Sequence, residues 1–181
     1  FPTNGAVMQS AFFALRGLVR LSAPGVTERL TTMQACDAVL STLKQPNLPL
    51  DAINFGFNFL ARLATMRPEI LQHLVANGAL ETIMASFARW REPNHLPAVA
   101  SCVVALHAFA ASEELADRLV AMGAVDALVP ALRHAASTEP FLVTTGCRAI
   151  GRFAYVSNAA SAKLGQVGAC ELVVAFLREC F

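Results

Sequence analysis

Ala35-Cys-Asp-Ala-Val-Leu-Ser-Thr-Leu43, Ala79-Leu-Glu-Thr-Ile-Met-Ala-Ser-Phe87, Ala124-Val-Asp-Ala-Leu-Val-Pro-Ala-Leu132 and Ala169-Cys-Glu-Leu-Val-Val-Ala-Phe-Leu177 are four versions of one stretch, and they begin 44, 45 and 45 residues apart. A fixed period in this range marks a helical solenoid, in which each unit buries its apolar face only against its neighbours. Such a chain offers a long surface, and its default use is binding.

Upstream of each stretch a short helix is predicted around Leu30, Leu74, Leu119 and Leu164, followed four residues later by Gln34, Gly78, Gly123 or Gly168. Glycine tolerates the left-handed conformation that closes a helix, so three of the four units carry a sharp stop and the first turn is expected to be looser. The quoted stretch then opens a second helix with an acid, Asp37, Glu81, Asp126 or Glu171, where the helix dipole is positive. Seven residues on, Lys44, Arg133 and Arg178 stand near the negative end in three of the units. The columns Val39, Ile83, Leu128, Val173 and Leu43, Phe87, Leu132, Leu177 have helical spacing toward one face. Pro130 removes one backbone donor from the third of these helices and is expected to kink it without ending the unit.

A proline-marked linker comes next: Gln45-Pro-Asn-Leu-Pro49, Glu92-Pro-Asn-His-Leu-Pro97 or Ala136-Ser-Thr-Glu-Pro140. Proline suits the first helical turn, so a longer third helix is predicted to start there. Its core columns are Leu15, Leu60, Leu106, Ile150 and Leu18, Leu63, Phe109, Phe153. The small residues Ala11, Gly56, Cys102 and Gly146, four positions before the first column, are expected to let neighbouring helices approach closely.

This succession resembles the armadillo repeat over essentially the whole chain. The most specific pieces are Asn77-Gly-Ala-Leu-Glu81, Met122-Gly-Ala-Val-Asp126 and Val167-Gly-Ala-Cys-Glu171. The resemblance implies an all-α, right-handed superhelix of about 45-residue repeats in one domain. Its parts would be a third helix over 1–22, units over 23–66, 67–112 and 113–157, and the first two helices of a further unit over 158–181. HEAT repeats share the length range and stay open as the alternative subclass, whereas the 34-residue tetratricopeptide period does not fit.

Composition excludes several functions. A formal charge of +1 gives no global attraction to nucleic acid or acidic membranes, so an electrostatic partner must be met by a local patch. Of the 14 basic residues only Lys44 and Lys163 are lysines. Arginine suits bidentate recognition of carboxylates, and a coding bias would give the same excess. The longest charge-free run, Pro93 to Ser112, contains Asn94, His95, Pro97 and His107 and falls short of a membrane span. Cys36, Cys102, Cys147, Cys170 and Cys180 form no CxxC pair and sit mostly at apolar positions, as in a reduced, intracellular core. His73, His95, His107 and His134 have no Cys or carboxylate at metal spacing, and Gly146-Cys-Arg-Ala-Ile-Gly151 lies on a helix rather than in a phosphate loop. No catalytic role, metal or cofactor is expected.

The surface left for a partner is the side of the third helix opposite its core columns. Two residues either side of the Leu15, Leu60, Leu106, Ile150 column lie Phe13/Gly17, Asn58/Arg62, Val104/Ala108 and Arg148/Arg152. The resemblance implies that such positions line a concave groove for extended peptides. In the importin-alpha type of the family they carry a ladder of Trp and Asn, which is absent here. Arg62, Arg148 and Arg152 would repel a basic peptide and suit a partner protein segment with Asp or Glu around an apolar anchor, with Phe13, Val104 and Ala108 in apolar contact. The alternative is a structural subunit of a large assembly that uses solenoid ends and edges. Nucleic acid ranks last, since no aromatic residues interleave the arginines. With Phe1 in place of Met and a half-unit at each end, the chain reads as part of a longer one. Its apolar end residues, Phe12 and Phe176 among them, are expected to meet further repeats or a second copy.

Overall fold

The computed structural model describes residues 7, 10, 11, 13–15, 35–90, 95–135 and 139–179. Among them the chain is helical and contains no strand. The helices are α1 (Ala35–Leu43), α2 (Leu50–Met66), α3 (Pro68–Ala76), α4 (Ala79–Arg89), α5 (Leu96–Phe109), α6 (Glu113–Ala121), α7 (Ala124–Ala135), α8 (Pro140–Val156), α9 (Asn158–Gln166) and α10 (Ala169–Glu179). Three-helix units run α3–α4–α5 and α6–α7–α8, with α1–α2 before them and α9–α10 after. The expectations for Phe12, Gly17, Leu18, Leu30, Gln34, Cys180, the first half of the second linker and most of the third lie outside the described residues.

Local chemistry explains the boundaries. Gly78, Gly123 and Gly168 all have φ near +80°, at 83°, 85° and 75°. They turn the chain from first to second helix at a backbone conformation that a Cβ would strain. Ser112 and Ser157 cap α6 and α9, their hydroxyls accepting from Leu115 N (3.4 Å) and Ala160 N (2.9 Å). Pro49, Pro97 and Pro140 stand at or within one turn of the third-helix starts. Pro130 lies on an exposed side of α7, and the helix continues past it.

The third helices carry the core. The pairs α2–α5 and α5–α8 pack more extensively than any other. Held between two neighbours, α5 is buried nearly all round, with Leu106 and Phe109 sealed from solvent. Full burial of such side chains contributes about 1.5–3 kcal/mol each. Two glycines set the approach of second helix to third. A Cβ at Gly56 would stand 2.8 Å from Leu43 Cδ2, and one at Gly146 would stand 2.6 Å from Leu132 Cδ1 and 2.8 Å from its Cγ.

The basic residues at the ends of the second helices act across units, not on their own helix dipole alone. Lys44 Nζ donates to the Asn77 carbonyl at 3.0 Å, and Arg133 Nη2 donates to those of Val167 and Gly168 at 3.1 and 3.3 Å. Each thereby satisfies carbonyls at the C-terminal end of the next unit's first helix, which have no partner within that helix. The acids that open the second helices also reach the next unit, at its basic side chains: Asp37 meets His73 at 2.7 Å, Glu81 meets Arg118 at 3.7 Å and Asp126 meets Lys163 at 2.8 Å.

The cysteines divide by burial. Burial pushes the Cys36 thiol up to about 11 and Cys102 further still, so both act as small apolar groups. Cys170 shares the column of Cys36, Leu80 and Val125, yet it is exposed because no described helix packs beyond α10.

Two glycines of α8 give a matched test. Gly151 has nothing near its Cβ position and is exposed, so Gly151→Ala should raise stability by about 0.5–1 kcal/mol through helix propensity. Gly146→Ala gains the same propensity but must displace buried Leu132, and overpacking of this kind costs about 1–3 kcal/mol. Thermal melts should move in opposite directions, and a rise for both would contradict the close approach.

Candidate functional site

The residues named from the third-helix pattern fall into three situations. Asn58 and Arg62 of α2 and Val104 and Ala108 of α5 line one crevice of about 220 Å³, joined there by Thr65 and His107. It exists because the two third helices run side by side with small residues facing each other: Ala61 is buried on one wall and Ala108 is 6% exposed on the other. Among the described residues no acid lines it.

Asn58 also ties the two helices together. Its amide nitrogen donates to the Asn54 carbonyl (2.7 Å) and to Ser101 Oγ on α5 (3.2 Å), while Ser101 Oγ donates to Asn54 Oδ1 (3.0 Å). The amide oxygen of Asn58 remains as the acceptor this side chain can offer a ligand. Phe13 is 65% exposed and meets Phe55 of α2 edge-on, with ring centroids 5.8 Å apart. It extends the row of third-helix side chains beyond α2.

The arginines differ from one another, which the i, i+4 pattern does not reveal. Arg62 and Arg148 are exposed, and their side chains have no hydrogen-bond or ion-pair partner among the described residues. Arg152, expected to face a ligand as they do, is committed to the protein: its Nε donates to the Ala110 carbonyl at 2.9 Å and its Nη2 to that of Ala111 at 3.2 Å. The cause lies in helix length. Helices α2 and α8 have 17 residues, whereas α5 has 14 and stops at Phe109, so its last carbonyls need a donor from elsewhere.

His107 was grouped by sequence with histidines solvated or bonded in place. It is half-buried in the crevice, and its imidazole is held below its ordinary pKa by burial first, then by the charges of Arg152 and Arg148. The signal available beforehand was its place one residue past the Leu106 column. Because the folded pKa is depressed, the stability linked to His107 is complete above the ordinary imidazole range and is lost as pH falls through it toward the folded value.

Among the described residues no group of three His, Cys, Asp or Glu side chains could hold a metal ion. No single helix there is long and apolar enough to cross a membrane.

No family model and no curated protein matches the sequence. Solved structures do match the fold. An engineered protein is similar with a TM-score of 0.80 at 18% identity, covering 96% of this chain and 68% of its own. A designed armadillo repeat protein in complex with the peptide (KR)4 matches with a TM-score of 0.71 at 20% identity, over 96% of this chain and 74% of its own. A second designed armadillo repeat protein matches with a TM-score of 0.75 at 22% identity, over 96% and 69%. At these identities the likeness concerns fold alone, and the fold of this chain is an armadillo-like helical repeat, an all-α solenoid.

Proposed function

We propose that this chain is a non-enzymatic protein-binding module whose third helices α2, α5 and α8 hold an extended, acidic segment of a partner protein. The observation that carries this reading is that the side chains of Arg62 and Arg148 are exposed with no partner among the described residues, Arg62 beside a crevice that no acid lines. Arg62 borders a crevice floored by Val104 and Ala108, which suits an apolar residue between carboxylates. Phe13 adds an exposed aromatic contact further along. Arg152 belongs to the site as a source of positive field and as the cap of α5, not as a free ligand for carboxylates. One designed structural neighbour is in complex with (KR)4, a basic peptide. The cations here favour the opposite charge.

A second reading has a specific observation of its own. Phe176, expected at the open end, is instead buried in the core, whereas Val174 and Leu177 of α10 are 46% and 55% exposed, beside Glu171 and Arg178, which occupy the places of the acids and bases that bridge earlier units. An assembly subunit would use that face, and its contact would be apolar and little affected by salt.

The two readings separate by experiment. Replacing Arg62 and Arg148 together by Glu should weaken capture of an acidic peptide by about tenfold or more while leaving the melting temperature unchanged. Binding by the native chain should also fall steeply with salt, because the screening length shrinks from about 10 Å at 0.1 M to about 3 Å at 1 M. Unchanged affinity in the double variant would move the site away from the third helices.

A bound carboxylate also offsets the positive field on His107. The imidazole titration, followed by NMR, should therefore move upward when an acidic peptide is added. A midpoint that stays put at saturation would place the carboxylates elsewhere.

A further inference from the structure

The junction between the units 67–112 and 113–157 is built differently from the one after it. First helices α6 and α9 pack against each other more extensively than α3 and α6 do. In the closed junction Asp117 accepts a hydrogen bond from the hydroxyl of Ser157. The residues one period earlier are Gln72 and Ser112, both exposed and not bonded to each other. The bridging contacts agree: Glu81–Arg118, at the open junction, is 3.7 Å apart, against 2.8 Å for the Asp126–Lys163 ion pair at the closed one.

Between α3 and α6 lies a cleft of about 900 Å³. Its origin is the early stop of α5. Leu106 lies 13 residues before the Leu119 of the next first helix, where Leu60 to Leu74 and Ile150 to Leu164 are 14, and the missing turn is replaced by Ala110 and Ala111 under the Arg152 side chain. The walls include Leu71, Val75 and Leu115, with Gln72, Ser112 and Glu114 also lining the cleft. Thr65 and Ala108 line both this cleft and the third-helix crevice, so the two are continuous.

We infer that the cleft between α3 and α6 is a pocket for an apolar anchor, Leu- or Met-like, of the same peptide whose carboxylates meet Arg62 and Arg148. The source of the anchor rests on the peptide-binding reading above. The size is that of a ligand site, at the upper part of the roughly 300–1,000 Å³ range, and holds more than one side chain. The charges fit a neutral occupant, because the lining holds two acids, Glu81 and Glu114, and two bases, Arg118 and Arg152. Glu81 is paired with Arg118, and Arg152 is directed at the Ala110 and Ala111 carbonyls. The Gln72 amide and the Ser112 hydroxyl are left to meet the peptide main chain, since the direct bond their counterparts make is not formed here.

The test uses the whole chain, 13C-labelled at its methyl groups, and the neutral probe N-acetyl-Leu-Leu-amide. The methyl resonances of Leu71, Val75 and Leu115 should shift in the native chain and equally in the Arg62→Glu, Arg148→Glu variant. They should not shift in Ala111→Phe, which fills the cleft without touching the crevice. If Ala111→Phe fails to fold, Ala76→Phe on the exposed end of α3 replaces it. Absence of these shifts in the native chain, or their survival in a folded cleft-filled variant, overturns the inference. In a second arm, an acidic octapeptide carrying Leu-Leu should bind about tenfold tighter than its Ser-Ser analogue, and the gain should vanish when the cleft is filled. No gain, with both peptides bound, overturns the anchor and leaves the groove reading standing. If neither octapeptide binds, the groove reading fails, and the dipeptide shifts alone decide whether the pocket exists.

Discussion

No unit of this chain can complete its core alone. Third helices cover one another's apolar sides, and α5, which has two such neighbours among the described residues, is buried almost all round. Gly56 and Gly146 make this possible by admitting Leu43 and Leu132 where a methyl group would collide. Since burial of apolar surface is the main favourable term in folding, the sideways stacking of third helices is the constraint from which the remaining geometry follows.

Stacking places polar groups as a consequence. Acids that open the second helices reach bases on the next unit's first helix, and bases that close the second helices reach its terminal carbonyls. Exposed ion pairs of this kind contribute only about 0–1 kcal/mol each, so they register the units more than they hold them together. Where a third helix is shortened, the pattern loosens on one side and Arg152 is drawn in on the other. One local deletion thus ties down a cation of the third-helix face and opens a cleft beside it.

Much of this was legible in the sequence. The period, the glycine turns, the acid-opened second helices and the core columns follow from residue type and spacing, because helix geometry and burial leave few alternatives for Leu106, Phe109 or Gly78. The candidate face was legible as a face: Asn58, Arg62, Val104 and Ala108 do line one crevice. The fate of each arginine was not. Arg148 and Arg152 are one turn apart on the same helix, and only the position of the α5 terminus, set by packing, decides that one is free and the other bound. The cleft left a trace in the spacing of 13 residues instead of 14, but a one-residue change does not say where the slack will appear. His107 likewise needed three dimensions, since its low pKa comes from burial and from arginines about 40 residues away in the chain.

The account stands or falls on the sign of the charge that the third-helix face selects. Fluorescence anisotropy with two labelled octapeptides, an alternating Asp-Glu sequence and the (KR)4 sequence, at salt concentrations from roughly 0.05 to 0.5 M, measures this directly. The account predicts that the acidic peptide binds and weakens with salt while the basic one does not bind at any concentration of salt. Binding of the basic peptide as tight as, or tighter than, that of the acidic one would contradict it.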